Sequence, residues 1–372
     1  MQIDRLSLRG FRNYEDAQAQ FVPGVNLLVG GNANGKTNLL EAVSYLSTGR
    51  SFRTRREAEL IRFGADFAEL RAQVQSQERT RELRAVLFSG RRPRQLWLAG
   101  VRQRSRAALS GVLTSVLFCP EDLMILKKGA VGRRRLMDGV ICQLRPNYEA
   151  ALAEYGRLLD QKSALLRERY DNPSLLQVLP EYDLRMAQTG ALVISYRARY
   201  VKALAQEAAR YHREFSGDSE TLELTYRTVS TVTDPFAPPE TLCAQLQEHQ
   251  RSHARAELES AQCLSGPHKD DFEAELDGLS VKAFGSQGQT RTAAISLKLA
   301  ERELFRRDTG EEPVLLLDDV LSELDARRQD FVLNQIRSGQ VLITCCEPDR
   351  LSDIGKRILI ENGQVREDPA CI

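Results

Sequence analysis

The sequence predicts an α/β fold that is interrupted by a mainly helical insertion. A glycine-rich turn joins an apolar, strand-like run at 25–29 to a helix-like run at 37–47. A second apolar run at 314–319 resembles a strand buried on both faces. Between these runs, from about residue 145, the composition shifts to Ala, Leu, Glu, Arg and Gln with helical spacing. We therefore expect an α/β lobe formed by 1–125 and 264–372, and a helical lobe formed by 126–263.

The elements follow from hydrophobic periodicity and turn residues. The N-terminal part alternates short apolar runs with turns, the middle part is helical, and the C-terminal part returns to α/β order. In chain order we predict strands at 2–8 and 25–29, a helix at 37–47, antiparallel strands within 68–99, a helix from 145, a helix at 181–215 interrupted at Gly190, a strand at 221–226, a helix at 240–261, a strand at 272–278, a helix containing 296–307, a strand at 314–319, a helix from 326, a strand at 340–346 and a hairpin at 357–365.

Composition and charge exclude several classes of protein. The formal net charge is +1, from 52 basic and 51 acidic residues, so nucleic-acid binding would depend on local clusters. No run approaches the ~18 apolar residues of a membrane helix, and charges at Asp4, Arg5 and Arg9 leave no signal-peptide core. The seven cysteines contain no CxxC pair. We expect a cytoplasmic protein with reduced thiols and no membrane partner.

The strongest motif is the glycine-rich turn, which fits the phosphate-binding pattern G-x-x-x-x-G-K-[ST]. Glycines let the backbone wrap a phosphate, and the following helix N-terminus favours negative charge. Lys36 would reach the β- and γ-phosphates of ATP, and the Thr37 hydroxyl would be a Mg²⁺ ligand. The nucleotide-binding residues predicted here are Gly30, Gly31, Asn32, Ala33, Asn34, Gly35, Lys36 and Thr37.

The second motif is the pair of aspartates that ends the apolar run at 314–319. Two carboxylates at the end of a buried strand are costly unless they meet a cation. Paired with the phosphate loop, this pattern predicts that Asp318 holds Mg²⁺ and that Asp319 positions the attacking water. Lys36 and Asp319 are the catalytic candidates. A strand that merely ends in an acidic turn is the alternative for the run taken alone.

The third motif is the sequence SQGQ at 286–289, where a helix is predicted to begin. Its plain interpretation is a capping box between Ser286 and Gln289. The same helix N-terminus, with Gly288 in its first turn, could instead receive a phosphate. Spacing favours the second interpretation, because a distant phosphate loop followed by SxGQ and then closely by the aspartate pair is the layout of ABC-type ATPases.

With these motifs in place, the sequence resembles the RecF family of ABC/SMC-like ATPases. The resemblance covers most of the chain except the region around 170–260. Its most specific part runs from GPHKDD (266–271) through SQGQTR (286–291) to LLLDDVLSELD (315–325). The segments that carry it are LRGFRNY (8–14), GGNANGKTNLLEA (30–42), SFR (51–53), FCPEDL (118–123), GRRRLMD (132–138), SGPHKDDFE (265–273), FGSQGQTRTAAISLKLAE (284–301) and LLLDDVLSELDARR (315–328).

The resemblance implies an SMC-like P-loop ATPase head that dimerises with ATP between the phosphate loop of one copy and the SQGQ helix of the other. It implies ATP-dependent DNA binding and work with RecO and RecR in loading a recombinase at single-strand gaps. By position, Arg12 and Asn13 would contact nucleotide. The switch histidine of ABC ATPases is replaced by Thr344.

DNA contacts are the least determined part of the prediction. Arginine clusters that could bind phosphates compete with the plain alternative of a solvated surface. Few aromatic residues adjoin these clusters in sequence, which argues against base stacking. The preferred candidates are Arg53, Arg55, Arg56, Arg133, Arg134 and Arg135. Two other functional classes stay open: an SMC-like structural chromosome ATPase and an ABC transporter subunit.

Overall fold

The computed structural model describes residues 1–77, 79–169, 173–346 and 355–367. The strands alternate with helices in the N- and C-terminal parts and are sparse in the middle. They are β1 (Gln2–Phe11), β2 (Tyr14–Gln20), β3 (Val25–Val29), β4 (Phe67–Ser76), β5 (Arg79–Phe88), β6 (Gln95–Leu98), β7 (Val101–Gln103), β8 (Ser115–Phe118), β9 (Leu222–Arg227), β10 (Asp271–Leu276), β11 (Leu279–Ser280), β12 (Val314–Leu317), β13 (Val341–Cys345), β14 (Lys356–Glu361) and β15 (Gln364–Glu367).

The helices are concentrated in the middle of the chain, as the composition predicts. They are α1 (Lys36–Thr48), α2 (Ala130–Leu144), α3 (Pro146–Arg167), α4 (Leu179–Ser216), α5 (Pro239–Ser260), α6 (Val281–Phe284), α7 (Gln287–Thr309) and α8 (Ala326–Gln335). Within the described residues, no helix is long and apolar enough to cross a membrane.

The chain divides into two compact units, of which the first comprises 1–124 and 294–372. It contains two six-stranded sheets, in the orders β2-β1-β4-β5-β6-β7 and β15-β14-β3-β13-β12-β8. The first sheet is antiparallel. In the second, β14, β3, β13, β12 and β8 run parallel, and β15 closes a hairpin with β14.

The core of this unit contains residues of both sheets and of α1. Leu39, Leu40 and Val43 of the helix are fully buried, together with Leu70 of the first sheet and Leu342 of the second. Apolar residues three and four apart place one helix face against each layer. Burial on both sides fixes α1, and with it the glycine-rich turn, between the sheets.

The second unit comprises 125–293 and is mainly helical. Its three-stranded sheet has the order β11-β10-β9. The first unit boundary lies within one residue of the expected 125/126, but the second lies at 293/294 rather than 263/264. The later boundary corrects the expectation, because β10 pairs along its length with β9 of the helical unit.

Gly190 does not interrupt the long middle helix, contrary to the prediction. Helix α4 runs without a break from Leu179 to Ser216. A Cβ at Gly190 would lie 3.1 Å from Pro267, 3.3 Å from Leu246 and 3.5 Å from Tyr155. The glycine is therefore explained by close packing on the helix surface, which outweighs its cost of about 1 kcal/mol in a helix interior.

Candidate functional site

The glycine-rich turn lies between β3 and α1, at the carboxyl end of a central parallel strand. Gly35 has φ of 116°, and a Cβ there would come within 2.9 Å of the Asn13 and Tyr14 side chains. A Cβ at Gly30 would lie 2.2 Å from the Ile360 carbonyl oxygen. Ala33 also adopts a positive φ, of 65°. Only glycine fits the first two positions, so the loop shape is built into the sequence.

Lys36 and Thr37 begin α1 directly after this loop. The Lys36 ammonium donates to the carbonyl oxygens of Gly30 at 2.6 Å and Gly31 at 3.1 Å. It therefore curls over the loop, where a bound phosphate would compete for its protons. The Thr37 hydroxyl donates to Asp318 Oδ1 at 2.9 Å. The loop and the aspartate pair, 281 positions apart in sequence, thus meet at one point.

Asp318 and Asp319 follow β12, as the sequence predicts. Asp318 is 6% exposed. Burial raises the pKa of its carboxyl group, and the hydrogen bond from Thr37 opposes that shift. The Thr37 hydroxyl and the Asp318 carboxylate offer adjacent hard oxygen atoms at a partly buried point, which is the donor set that Mg²⁺ prefers. The residues present therefore fit a magnesium ion beside the phosphate loop.

Thr344, at the end of the neighbouring strand β13, links the two aspartates. Its hydroxyl accepts from the Asp319 amide at 2.8 Å. The same oxygen lies 3.1 Å from Asp318 Oδ1 and 3.2 Å from Asp319 Oδ1. A threonine has one hydroxyl proton, so it can serve one carboxylate at a time. From the sequence, Thr344 was noted because it stands where ABC ATPases have a switch histidine. Its position between the two carboxylates follows from the pairing of β12 with β13, which the sequence did not show.

Arg12 and Asn13 lie beside the loop and hold its surroundings. The Arg12 guanidinium forms two hydrogen bonds of 2.8 Å with the fully buried carboxylate of Glu41 in α1. The Asn13 amide donates to the Asn34 carbonyl oxygen at 3.0 Å. Asn13 also accepts from the Asn38 side chain at 2.8 Å. Both residues therefore brace the loop and the first turn of α1, and nucleotide contact by them stays a prediction.

The SQGQ segment belongs to the second unit and forms a reciprocal capping box at the start of α7. Gln289 N donates to the Ser286 hydroxyl at 3.1 Å, and Ser286 N donates to Gln289 Oε1 at 2.9 Å. The Gln289 amide also donates to Glu220 at 2.8 Å. Just before the box, Phe284 is 73% exposed and Leu279 is 61% exposed. The plain interpretation of the motif is therefore present, and it leaves two large apolar side chains in solvent.

The six candidate DNA-binding arginines differ in their environments. Arg55, Arg56 and Arg135 are exposed. Arg53 is exposed as well, and it donates to Asn38 Oδ1 at 2.7 Å. Arg134 is half-buried and donates to the Asp270 carbonyl oxygen at 2.6 Å. These five keep at least part of their surface in solvent.

Arg133 corrects the expectation for its cluster. Its side chain is 4% exposed. It makes two hydrogen bonds with the Asp271 carboxylate, at 2.6 and 2.7 Å, and donates to the Ile125 and Lys128 carbonyl oxygens at 2.9 and 2.7 Å. An arginine with these partners joins α2 to β10 and is not available to a phosphate.

The segment GPHKDD (266–271) makes buried contacts within the second unit. Burial lowers the pKa of His268 to about 4, so the ring is neutral. Its Nε2–H donates to the Cys263 carbonyl oxygen at 3.0 Å, and Nδ1 accepts from the Tyr155 hydroxyl at 2.6 Å. The fully buried Asp270 pairs with the Arg197 guanidinium at 2.9 Å. The segment therefore organises the helical unit.

His249 and His253 lie four residues apart on α5. Across the residues that the structure describes, no group of three or more His, Cys, Asp or Glu side chains could hold a metal. The two rings stack at 3.9 Å between centroids, and His249 Nδ1 lies 2.7 Å from the Ser265 hydroxyl. These contacts give the pair a packing role.

Comparison with known proteins gives consistent full-length matches. The chain matches the family model described as RecF/RecN/SMC N terminal domain over residues 2–364. The DNA replication and repair protein RecF of Acetivibrio thermocellus is 37% identical, with 94% of each chain covered. That of Symbiobacterium thermophilum is 40% identical, covering 100% of this chain and 95% of the relative.

A solved structure of the recombination mediator protein RecF with ATP, in the RecFOR pathway, is similar with a TM-score of 0.89. It is 31% identical to this chain and covers 98% of it and 97% of its own chain. These matches confirm the predicted fold, an ABC-type P-loop ATPase head of the SMC-like kind with a mainly helical lobe.

Proposed function

Since this chain belongs to the RecF family of DNA replication and repair proteins, we propose that it is an ATP-dependent DNA-binding protein of recombination repair. Two copies hold ATP between them and close on DNA. Slow hydrolysis, stimulated by DNA, then releases the dimer. With RecO- and RecR-type mediators the closed dimer helps load a recombinase at single-strand gaps.

One observation carries the nucleotide part of this proposal. The Thr37 hydroxyl and the Asp318 carboxylate, 2.9 Å apart, come from the phosphate loop and from a strand that is distant in sequence. A glycine-rich turn alone needs no such partner. A hydroxyl and a carboxylate that converge beside a loop of inward-facing amides form a site for Mg²⁺ and nucleotide phosphates. When bound, the magnesium ion would neutralise phosphate charge, while Lys36 binds the β- and γ-phosphate oxygens.

Asp319 is the proposed base that orients the attacking water. Its backbone has φ of 51°, and its amide is held by Thr344. The side chain is one methylene shorter than the glutamate that many ABC ATPases carry after their magnesium-binding aspartate. A misplacement of about 1 Å can lower a rate on the order of 100-fold. We therefore propose slow turnover, with ATP acting as a timer on the DNA-bound dimer.

Dimerisation is proposed from the exposed apolar surface next to the capping box. Phe284 and Leu279 lie in solvent just before a helix N-terminus, which favours a negative charge. A second copy would cover the apolar side chains, and its nucleotide would meet the helix start. Ser286, Gly288 and Gln289 would then contact the γ-phosphate bound to the partner.

DNA contacts are proposed for the exposed arginines of two clusters. Arg53, Arg55 and Arg56 follow α1 on the nucleotide-binding unit, so bound ATP can influence their positions. Arg134 and Arg135 lie on α2 of the helical unit. Arg133 is left out, because Asp271 neutralises it.

The two alternative classes are less well supported. A structural SMC protein needs long coiled-coil arms, and the longest helix in the described part of the inserted unit, α4, has 38 residues. An ABC transporter subunit usually carries its magnesium-binding aspartate much closer to the phosphate loop than the separation found here. DNA-stimulated ATPase activity would favour the repair function over the transporter subunit.

The decisive experiment is a mass measurement of the purified chain with and without ATP, and with gapped or intact duplex DNA. We expect monomers without nucleotide and dimers on gapped DNA with ATP. Lys36→Met should abolish both nucleotide binding and dimer formation, because it removes the point charge on the phosphates. Lys36→Arg is the matched control and should retain binding better. Wild-type ATP affinity in Lys36→Met would contradict the nucleotide site.

A further inference from the structure

The outer face of the antiparallel sheet carries a row of basic and aromatic side chains. Successive residues in a strand point to opposite faces. Leu6, Leu83 and similar residues fill the core face of this sheet. On the other face, the strand register aligns one residue from each of five neighbouring strands. These residues are Ser7, Arg71, Arg84, Trp97 and Arg102.

Three aromatic rings on this face are each covered by a guanidinium group. The Cζ of Arg84 lies 4.5 Å from the Trp97 ring centroid. The corresponding distance from Arg92 to Phe88 is 4.2 Å, and from Arg9 to Phe67 it is 5.6 Å. Phe67 and Phe88 are directly opposed across β4 and β5. All three rings are half-buried, so each has surface within reach of a flat ligand.

The order of residues along the chain does not reveal this arrangement. The sequence separates Arg84 from Trp97 and Arg9 from Phe67. Strand pairing brings each pair together. The surface of mixed arginine and aromatic side chains is created by the register of four antiparallel strand pairs. Local periodicity in the sequence does not specify that register.

The face has an excess of positive charge. Among the register-paired positions that point outward, five are arginines and three are carboxylates. The arginines are Arg5, Arg9, Arg71, Arg84 and Arg102, and the carboxylates are Asp16, Glu69 and Glu82. Glu69 is engaged by both Arg71 and Arg84. Arg92, at the end of the sheet, adds a further cation. A polyanion is the complementary partner.

We propose that this face, named here the arginine–aromatic face, binds single-stranded nucleic acid. Unpaired bases stack on the three ring–guanidinium pairs, and backbone phosphates contact the arginines. A duplex keeps its bases stacked inside and cannot offer them to rings on a flat sheet, whereas a single strand can. The inference rests on the proposed DNA-binding function, and it adds a contact that needs neither ATP nor a dimer.

Trp97 is the only tryptophan in the chain, so it reports directly on its own surface. Titrating the full-length protein without nucleotide with oligo(dT) should quench tryptophan fluorescence, and a duplex of the same length should quench it far less. Polyglutamate serves as a polyanion without bases. Equal quenching by polyglutamate would overturn the stacking proposal and assign the face to acidic proteins.

Variants separate stacking from charge, using anisotropy of a labelled oligo(dT). Trp97→Leu should weaken binding roughly tenfold, whereas Trp97→Phe, which keeps a ring, should lose much less. The pair Arg84→Gln with Arg102→Gln should flatten the salt dependence by about 0.7 in slope for each lost phosphate contact. The single variant Arg102→Gln is also measured, because Arg102 is exposed and its replacement should perturb folding least. The matched control is Arg251→Gln with Arg255→Gln, at two exposed positions of α5.

Unchanged single-strand affinity in the face variants would overturn the inference even if ATP-dependent duplex binding persists. Loss in the α5 control equal to the loss in the face variants would overturn it as well, since general charge would then be the cause. If the wild-type chain binds neither single strands nor duplex under any nucleotide condition, the proposed function itself fails. Duplex binding with ATP is therefore measured on every variant.

Discussion

Replacing Arg133 with glutamine removes a guanidinium group from four hydrogen bonds in the helical unit. Breaking a buried ion pair by removing one partner costs about 3–5 kcal/mol, because the other charge is left uncompensated. Asp271 is 26% exposed and can be partly solvated, which favours the lower end, about 3 kcal/mol. For a unit of this size, each kcal/mol lowers Tm by about 2–4 °C, so a decrease of roughly 6–12 °C is expected.

The assay is thermal unfolding of the full-length chain, monitored by circular dichroism, with DNA affinity measured on the same variants. Arg135→Gln is the control, since Arg135 is exposed on the same helix and should change stability by no more than about 0.5 kcal/mol. Asp271→Asn added to Arg133→Gln should recover part of the loss, because no buried charge then lacks a partner. Wild-type stability of Arg133→Gln together with weakened DNA binding would refute this reasoning and restore Arg133 to the DNA surface.

Three further predictions concern the nucleotide site and the dimer. Asp319→Asn should keep ATP and Mg²⁺ binding but stop turnover and prolong the lifetime of the dimer. Asp318→Asn should instead impair Mg²⁺-dependent ATP binding. Single-turnover hydrolysis at the wild-type rate in Asp319→Asn would exclude Asp319 as the base. Ser286→Arg should bind ATP as a monomer but fail to dimerise. The control Ser286→Ala, which loses only the helix cap at a cost of about 1 kcal/mol, should still dimerise. An ATP-dependent dimer of Ser286→Arg in a mass measurement would contradict the placement of the SQGQ helix against the partner's nucleotide. Thr344→Val should lower kcat with little change in ATP affinity, because the two carboxylates lose their shared hydroxyl, and Thr344→Ser should restore it; a pure change in KM would argue against this role.

Features that depend on local sequence were predicted accurately. The phosphate loop needs glycines at fixed offsets between a strand and a helix, and α1 begins within one residue of the predicted position. The capping box at Ser286 is likewise local, with both bonds within four residues. The hairpin around Asn362 and Gly363 follows from the positive φ values that both residues adopt, 49° and 74°. In each case the residue type restricts the backbone directly.

Features that depend on pairing between distant segments were not predictable in the same way. Gly190 has helix-breaking character, but its role was decided by Pro267 and Leu246, which pack against it. The second boundary between the units lies at 293/294 and not at the expected 263/264, because β10 pairs with β9 of the helical unit. Thr344 could be recognised as a missing histidine, but its position between two carboxylates required the β12–β13 register.

The segments that make a sequence match specific need not be those that touch a ligand. GRRRLMD and GPHKDD contribute strongly to the family resemblance, and in the structure they bind each other. Arg133 pairs with Asp271, and Arg134 donates to the Asp270 backbone. Arg197 on α4 then bridges Asp138 and Asp270, so that one buried guanidinium satisfies a carboxylate from each segment.

Such an arrangement is intolerant of single changes, because removing any member leaves a buried charge without a partner. It therefore constrains residue identity as strongly as ligand binding would. Burial raises the pKa of the Asp270 carboxyl group, and the Arg197 guanidinium opposes that shift, which illustrates the dependence of each charge on the other. The buried members of GRRRLMD and GPHKDD, such as Arg133 and Asp270, are accordingly better tested by unfolding than by ATP or DNA binding. The exposed arginines and the arginine–aromatic face are the surfaces proposed for DNA contact.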